Sequence, residues 1–106
     1  MADFLGLMKQ AAELKSKMET MQAELDSVEV EGVAGGGMVT VTLSGKGELK
    51  AVRIDESLLK PSDKEIIEDL IVAAHADARR KAEAVLQEKM KTVAGGLPLL
   101  PGMKLF

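Results

Sequence analysis

The chain has 106 residues, of which 46% are hydrophobic and only 2% aromatic, with a formal net charge of −3. That length fits one domain with an aliphatic core, and the absence of cysteine excludes disulfides, thiol catalysis and cysteine-ligated metal centres. No apolar run approaches membrane-spanning length and residues 1–20 interleave apolar with charged side chains, so a cytoplasmic protein is expected.

In chain order, Phe4, Leu7, Ala11, Leu14, Met18, Met21, Leu25 and Val28 recur at alternating spacings of three and four. This heptad places one apolar stripe along a helix from about residue 4 to 26 and asks for a covering partner. Such a helix is about 35 Å long, whereas a compact chain of this size has a radius of gyration near 13 Å. The helix is therefore expected to project, with a second copy covering Leu7, Leu14, Met18, Met21 and Leu25. Residues 28–34, 38–44 and 48–54 then read as strands. Val39, Val41 and Leu43 are expected inward, and Thr40, Thr42 and Ser44 outward. Gly35-Gly36-Gly37 and Gly45-Lys46-Gly47 separate the strands as glycine-centred turns, which gives two antiparallel hairpins. In the third strand Leu49 and Ala51 differ in parity from Val52 and Ile54, so a bulge or burial of both faces is expected there.

After Pro61, Ser62-Asp63-Lys64-Glu65 has the form of a capping box and opens a second long helix, about 63–92. Its broad face carries Ile67, Leu70, Ile71, Ala74, Ala78, Ala82, Val85 and Leu86. Ala74 and Ala78 are small enough for close approach of another element, and both are candidate dimer contacts. Gly95-Gly96 is expected to stop the helix. The tail over 95–106 is apolar but carries prolines that bar a regular helix, so a docking role or a protein partner is open to it. The reading is a single α+β domain over 1–106: long helix, three-stranded antiparallel sheet, long helix.

Few residues point to chemistry. His75 has no acid or hydroxyl three or four positions away on its helix, so it makes a poor base or metal ligand. Gly45-Lys46-Gly47 lacks the hydroxyl and first glycine of a phosphate-binding loop, and it joins strand to strand rather than strand to helix. The acid pairs Glu29/Glu31, Asp55/Glu56 and Glu68/Asp69 read as solvated faces. No catalytic residue, metal site or cofactor is expected. The bases offer more. Arg79, Arg80, Lys81, Lys89 and Lys91 on the second helix, with Lys9, Lys15 and Lys17 on the first, are candidate phosphate contacts that a dimer would double. Isolated, they are solvated charges with acid neighbours such as Glu13–Lys17. The net negative charge favours a non-catalytic protein-interaction module as the alternative.

The chain resembles the YbaB/EbfC family of bacterial nucleoid-associated proteins. The resemblance rests on Val30-Glu-Gly, Gly35-Gly-Gly-Met-Val-Thr-Val, Gly45-Lys-Gly-Glu-Leu, Ile54-Asp, Glu68-Asp-Leu-Ile, Ala73-Ala-His-Ala-Asp-Ala and the closing Gly-Leu-Pro-Leu-Leu-Pro-Gly. It spans essentially the whole chain, with Ala76 a departure where members often carry Asn. The resemblance implies an intertwined homodimer whose long helices project from a central sheet like tweezers. It also implies duplex DNA binding with relaxed sequence specificity, a place in the nucleoid, and a part in nucleoid organisation and gene regulation.

Overall fold

The computed structural model describes residues 3–95, so the expectations for Gly96 and the tail over 97–106 lie outside the described residues. Helix α1 spans Phe4–Ser27. It starts on a cap that its first polar residue supplies: the Gly6 amide donates to Asp3 Oδ1 at 2.9 Å, satisfying one of the four amides a helix start leaves open. Strands β1 (Glu29–Ala34), β2 (Val39–Ser44) and β3 (Leu49–Ile54) follow, and helix α2 spans Lys64–Gly95. These bounds lie within three residues of those read from the periodicity.

The strands form one antiparallel sheet in the order β1-β2-β3. Gly35 and Gly36, at φ +63° and +66°, turn the chain between β1 and β2 in a conformation that side chains with a Cβ adopt reluctantly. Between β2 and β3 the pairing runs Thr42 with Ala51 and Leu43 with Leu49, which leaves Lys50 as the extra residue of a bulge. That bulge resets the alternation, so Leu49, Val52 and Ile54 share the face of Leu43, Val41 and Val39. Burial of both faces is not the cause, because β3 is exposed along nearly its whole length.

Helix α2 lies across β1 and β2 and leaves β3 largely uncovered. The core sits at that crossing, where Val39, Val41 and Leu43 meet Ala74, Ala78 and Leu58. Burying each large aliphatic there contributes about 1.5–3 kcal/mol relative to leaving it in water. Close approach depends on what is missing from the side chains. A methyl group on Gly32 would overlap the Ala74 carbonyl and the Ala78 amide, so β1 touches the α2 backbone itself.

Three expectations are corrected. Thr40, Thr42 and Ser44 do not stand outward in solvent: all six β2 residues are buried. The strand is central, and Glu31 and Arg53, on the two edge strands, reach toward each other to 3.9 Å over the threonines. Ser44 instead serves the turn, its hydroxyl accepting from the Lys46 and Glu48 amides at 3.2 Å each. The capping box does not form. A 3-10 turn from Pro61 to Asp63 runs into α2, with the Lys64 amide donating to the Pro61 carbonyl. Proline at the first position of that turn presets φ and has no amide to leave unsatisfied. Nor does the α1 stripe wait whole for another molecule. Its second half, Met21 and Leu25 with Leu14 and Met18 beside them, packs on Val85, Met90 and Val93 of the same chain. A charge at Met18 would therefore loosen the chain's own helix pair.

The result is elongated, 73 × 26 × 16 Å with a radius of gyration of 20.0 Å. Helix α1 does project, but α2 accompanies it for part of the way.

Candidate nucleic-acid interface

The two helices run antiparallel where they meet. Leu86 lies near Leu25 and Gln22, Lys89 reaches Glu24, and Val93 and Thr92 lie near Thr20 and Ser16. Bases from both helices therefore gather along one projecting arm, and the structure divides them by their partners.

Arg80 and Lys81 are engaged at the sheet. Asp77 Oδ1 accepts from Arg80 at 3.1 Å, while its Oδ2 lies 3.3 Å from Lys81 and accepts the Val33 amide at 3.0 Å. Lys81 also donates to the Glu31 carbonyl at 2.7 Å. Asp77 thus closes a clamp in which two cations and a carboxylate secure the outer edge of β1 to α2. The Val33 amide, and secondarily Lys81 and Arg80, hold the Asp77 carboxyl below the usual carboxylate range. A carboxyl depressed in the folded state stabilises the fold above its unfolded pKa near 4, and loses that contribution as pH falls through the lower folded value. Asp77→Asn is accordingly expected to lower the melting temperature at pH 7, with the gap to the parent chain narrowing below about pH 4; a gap independent of pH would refute the clamp.

Lys89 contacts Glu24 at 2.6 Å and ties the helices together. Arg79 pairs with Glu83 at 3.5 Å, with both side chains more than three-fifths exposed; such a pair is worth about 0–1 kcal/mol and yields readily to a phosphate. Among the described residues Lys9, Lys15, Lys17 and Lys91 make no ion pair within 4 Å, and the expected Glu13–Lys17 pair does not close. At about 100° per residue, Lys15 and Lys17 flank the α1 stripe and Lys9 stands opposite it. Residues 3–18 carry three bases against two acids, and one of those acids, Asp3, is engaged in capping α1, so the end of the arm is less acidic than the chain as a whole.

Of the dimer candidates, Met21, Leu25, Ala74 and Ala78 are buried by their own chain, Leu14 and Met18 are half-buried, and Leu7 is 59% exposed. A second uncovered apolar surface was not anticipated. Leu49 and Val52 of β3 face Ile71, Val72 and His75 of α2 across a groove of about 210 Å³ floored by Val41. Val72 is 70% exposed. The faint signal for it was the parity break in β3, which puts Leu49 and Val52 on one face only once Lys50 is set aside. His75 stands at this apolar rim, one helical turn before Arg79.

No helix among the described residues is long and apolar enough to cross a membrane, and no group of three or more His, Cys, Asp or Glu there is placed to hold a metal ion.

Comparison with known proteins places this geometry. A Rhodopseudomonas palustris protein named as nucleoid-associated is 64% identical over 105 residues, 99% of each chain. One of the same name from Afipia carboxidovorans is likewise 64% identical over 99% of each, and one from Bradyrhizobium is 63% identical over 96% of each. The crystal structure of an uncharacterized Helicobacter pylori protein superposes with a TM-score of 0.72 at 28% identity, covering 92% of this chain and all of that one. The model of the YbaB/EbfC DNA-binding family matches residues 1–97, and on that match and these relatives the chain belongs to that family.

Proposed function

We propose that this chain binds duplex DNA as a homodimer, through phosphate contacts and with relaxed sequence specificity, and acts without catalysis in nucleoid organisation and gene regulation. The observation that carries the reading is the set of free cations on the arm: Lys9, Lys15 and Lys17, with Lys91 on α2, make no ion pair among the described residues, in a family named for DNA binding. Phosphate rows reward unpaired, flexible cations, and a family relationship supplies the duplex as their target. With no Trp or Tyr and two Phe, the chain has little with which to stack single-stranded bases.

The two copies join, in this reading, at the groove between β3 and α2. Its apolar lining is continuous with the core at Val41, and β3 is an edge strand. Val72→Asp should convert the dimer to monomer in sedimentation without loss of helical content, because Val72 makes little contact within its own chain. An unchanged dimer would move the interface elsewhere.

The function is tested by titrating unrelated duplexes with the purified protein across a salt series. Affinity that falls steeply with salt and barely varies with sequence supports the reading; each phosphate contact contributes about −0.9 to the log–log slope. No retention at low salt would favour the alternative, a non-catalytic protein-interaction module, which the net charge of −3 recommends.

A further inference from the structure

Helix α1 carries a surface that neither the core nor the DNA reading explains. Phe4, Leu7 and Ala11 continue the stripe whose other half is covered, yet Phe4 is 69% and Leu7 59% exposed. Met8, at 56%, borders them. The bases on the same arm keep their ammonium heads in solvent or on phosphates, and a phosphate row offers the stripe no apolar face. Something apolar belongs there.

We propose that the open half of the α1 stripe is the docking surface for this chain's own segment 97–106. Three observations select that occupant. Where α2 comes level with Thr20 and Ser16 it is running toward the α1 N-terminus, so the chain leaves the described region beside the covered half and directed at the open one. The remaining stripe, from Leu14 to Phe4, is about 15 Å long, well within reach of ten residues at about 3.3 Å each. The composition is complementary: Leu97-Pro-Leu-Leu-Pro-Gly-Met-Lys-Leu-Phe holds four leucines, a methionine and a phenylalanine against a single charge. Its two prolines lack amide protons, which lowers the cost of laying the backbone on an apolar surface. Docking there extends the cluster of Met21, Leu25 and Val93 to the tip of the arm and leaves the lysines facing solvent. The inference is independent of DNA binding.

The natural absence of cysteine makes the test clean. In the full-length protein, Leu100→Cys is combined with Ala11→Cys on the stripe or with Glu13→Cys on the opposite side of the same helical turn, and each pair is oxidised under dilute conditions. Both α1 positions are exposed, so neither substitution disturbs the core, and circular dichroism confirms equal helical content. Docking raises the local concentration of one thiol at the other, so an intrachain disulfide should form at least about tenfold faster with Ala11→Cys than with Glu13→Cys. Adding Leu7→Glu should erase most of that difference. Equal rates on the two sides would overturn the proposal. A disulfide that forms mainly between chains would overturn it as well, assigning the stripe to a second copy instead.

Discussion

Gly32→Ala is expected to be among the most damaging single substitutions in this protein, lowering stability by about 3 kcal/mol or more. The reason lies in the backbone. Gly32 sits on β1 opposite Val41, facing α2 where Ala74 and Ala78 pass beneath, and a methyl group there would overlap main-chain atoms of the helix. A flexible side chain could rotate away; a helix carbonyl and amide cannot without shifting the whole element. Moving α2 outward would open voids around Val39, Val41 and Leu43, all at most 1% exposed. For a domain near 100 residues this corresponds to a melting temperature lower by roughly 12–24 °C, read by circular dichroism. Gly36→Ala is the informative companion, since a Cβ there meets nothing within 4 Å. It should cost only the strain of a positive φ, roughly 1 kcal/mol. Similar melting for both variants would mean that β1 and α2 are not in the contact described.

The second large effect concerns binding. Replacing Lys9, Lys15 and Lys17 together by glutamine should weaken duplex affinity at least about a hundredfold at low salt, and flatten the salt dependence by nearly one unit per lost contact in each protomer. The same three substitutions should leave melting almost unchanged, because none of these side chains makes an ion pair among the described residues. Lys46→Gln provides the contrast: Lys46 lies 3.2 Å from Asp26 at the base of the arm, and its loss should hardly alter the salt slope. If the triple variant binds as the parent does, the arm is not the contact surface and Arg79 and the sheet become the next candidates.

Much of the fold was legible because periodicity is a local property. The 3.5-residue rhythm of α1 and the alternation of Val39-Thr-Val-Thr-Leu-Ser are set by which side chains must avoid water, and they located the long helices and strands to within a few residues. The irregular parity of Leu49 and Val52 signalled a bulge or burial of both faces, and the pairing of β2 with β3 shows the bulge. Turn glycines were legible for the same reason, since the constraint lies in their own dihedral angles.

What misled was the environment of residues whose local pattern was right. Thr40 and Thr42 alternate as outward residues should, yet the central position of β2 lets longer neighbours on both edges close over them. Ser62 and Glu65 have capping-box spacing, but Pro61 starts a 3-10 turn that supplies the helix with backbone partners instead. The basic cluster looked uniform in sequence. In space it separates into a clamp at Asp77 that also holds β1, a surface pair of Arg79 with Glu83 along α2, a tie from Lys89 to Glu24 of α1, and a set of lysines with no ion pair among the described residues.

The elements, their order, the turns and the stripes that need covering are written in the amino-acid order, because each follows from backbone stereochemistry and the local rhythm of apolar residues. What covers each stripe follows from the packing of the assembled chain. Met21 and Leu25 are answered by Val93 of the same chain, Ala74 and Ala78 by Gly32, while Leu7 and Val72 are answered by nothing among the described residues. An apolar face specifies that it must leave water; the choice of partner depends on where distant segments arrive, and that is fixed by the assembled fold.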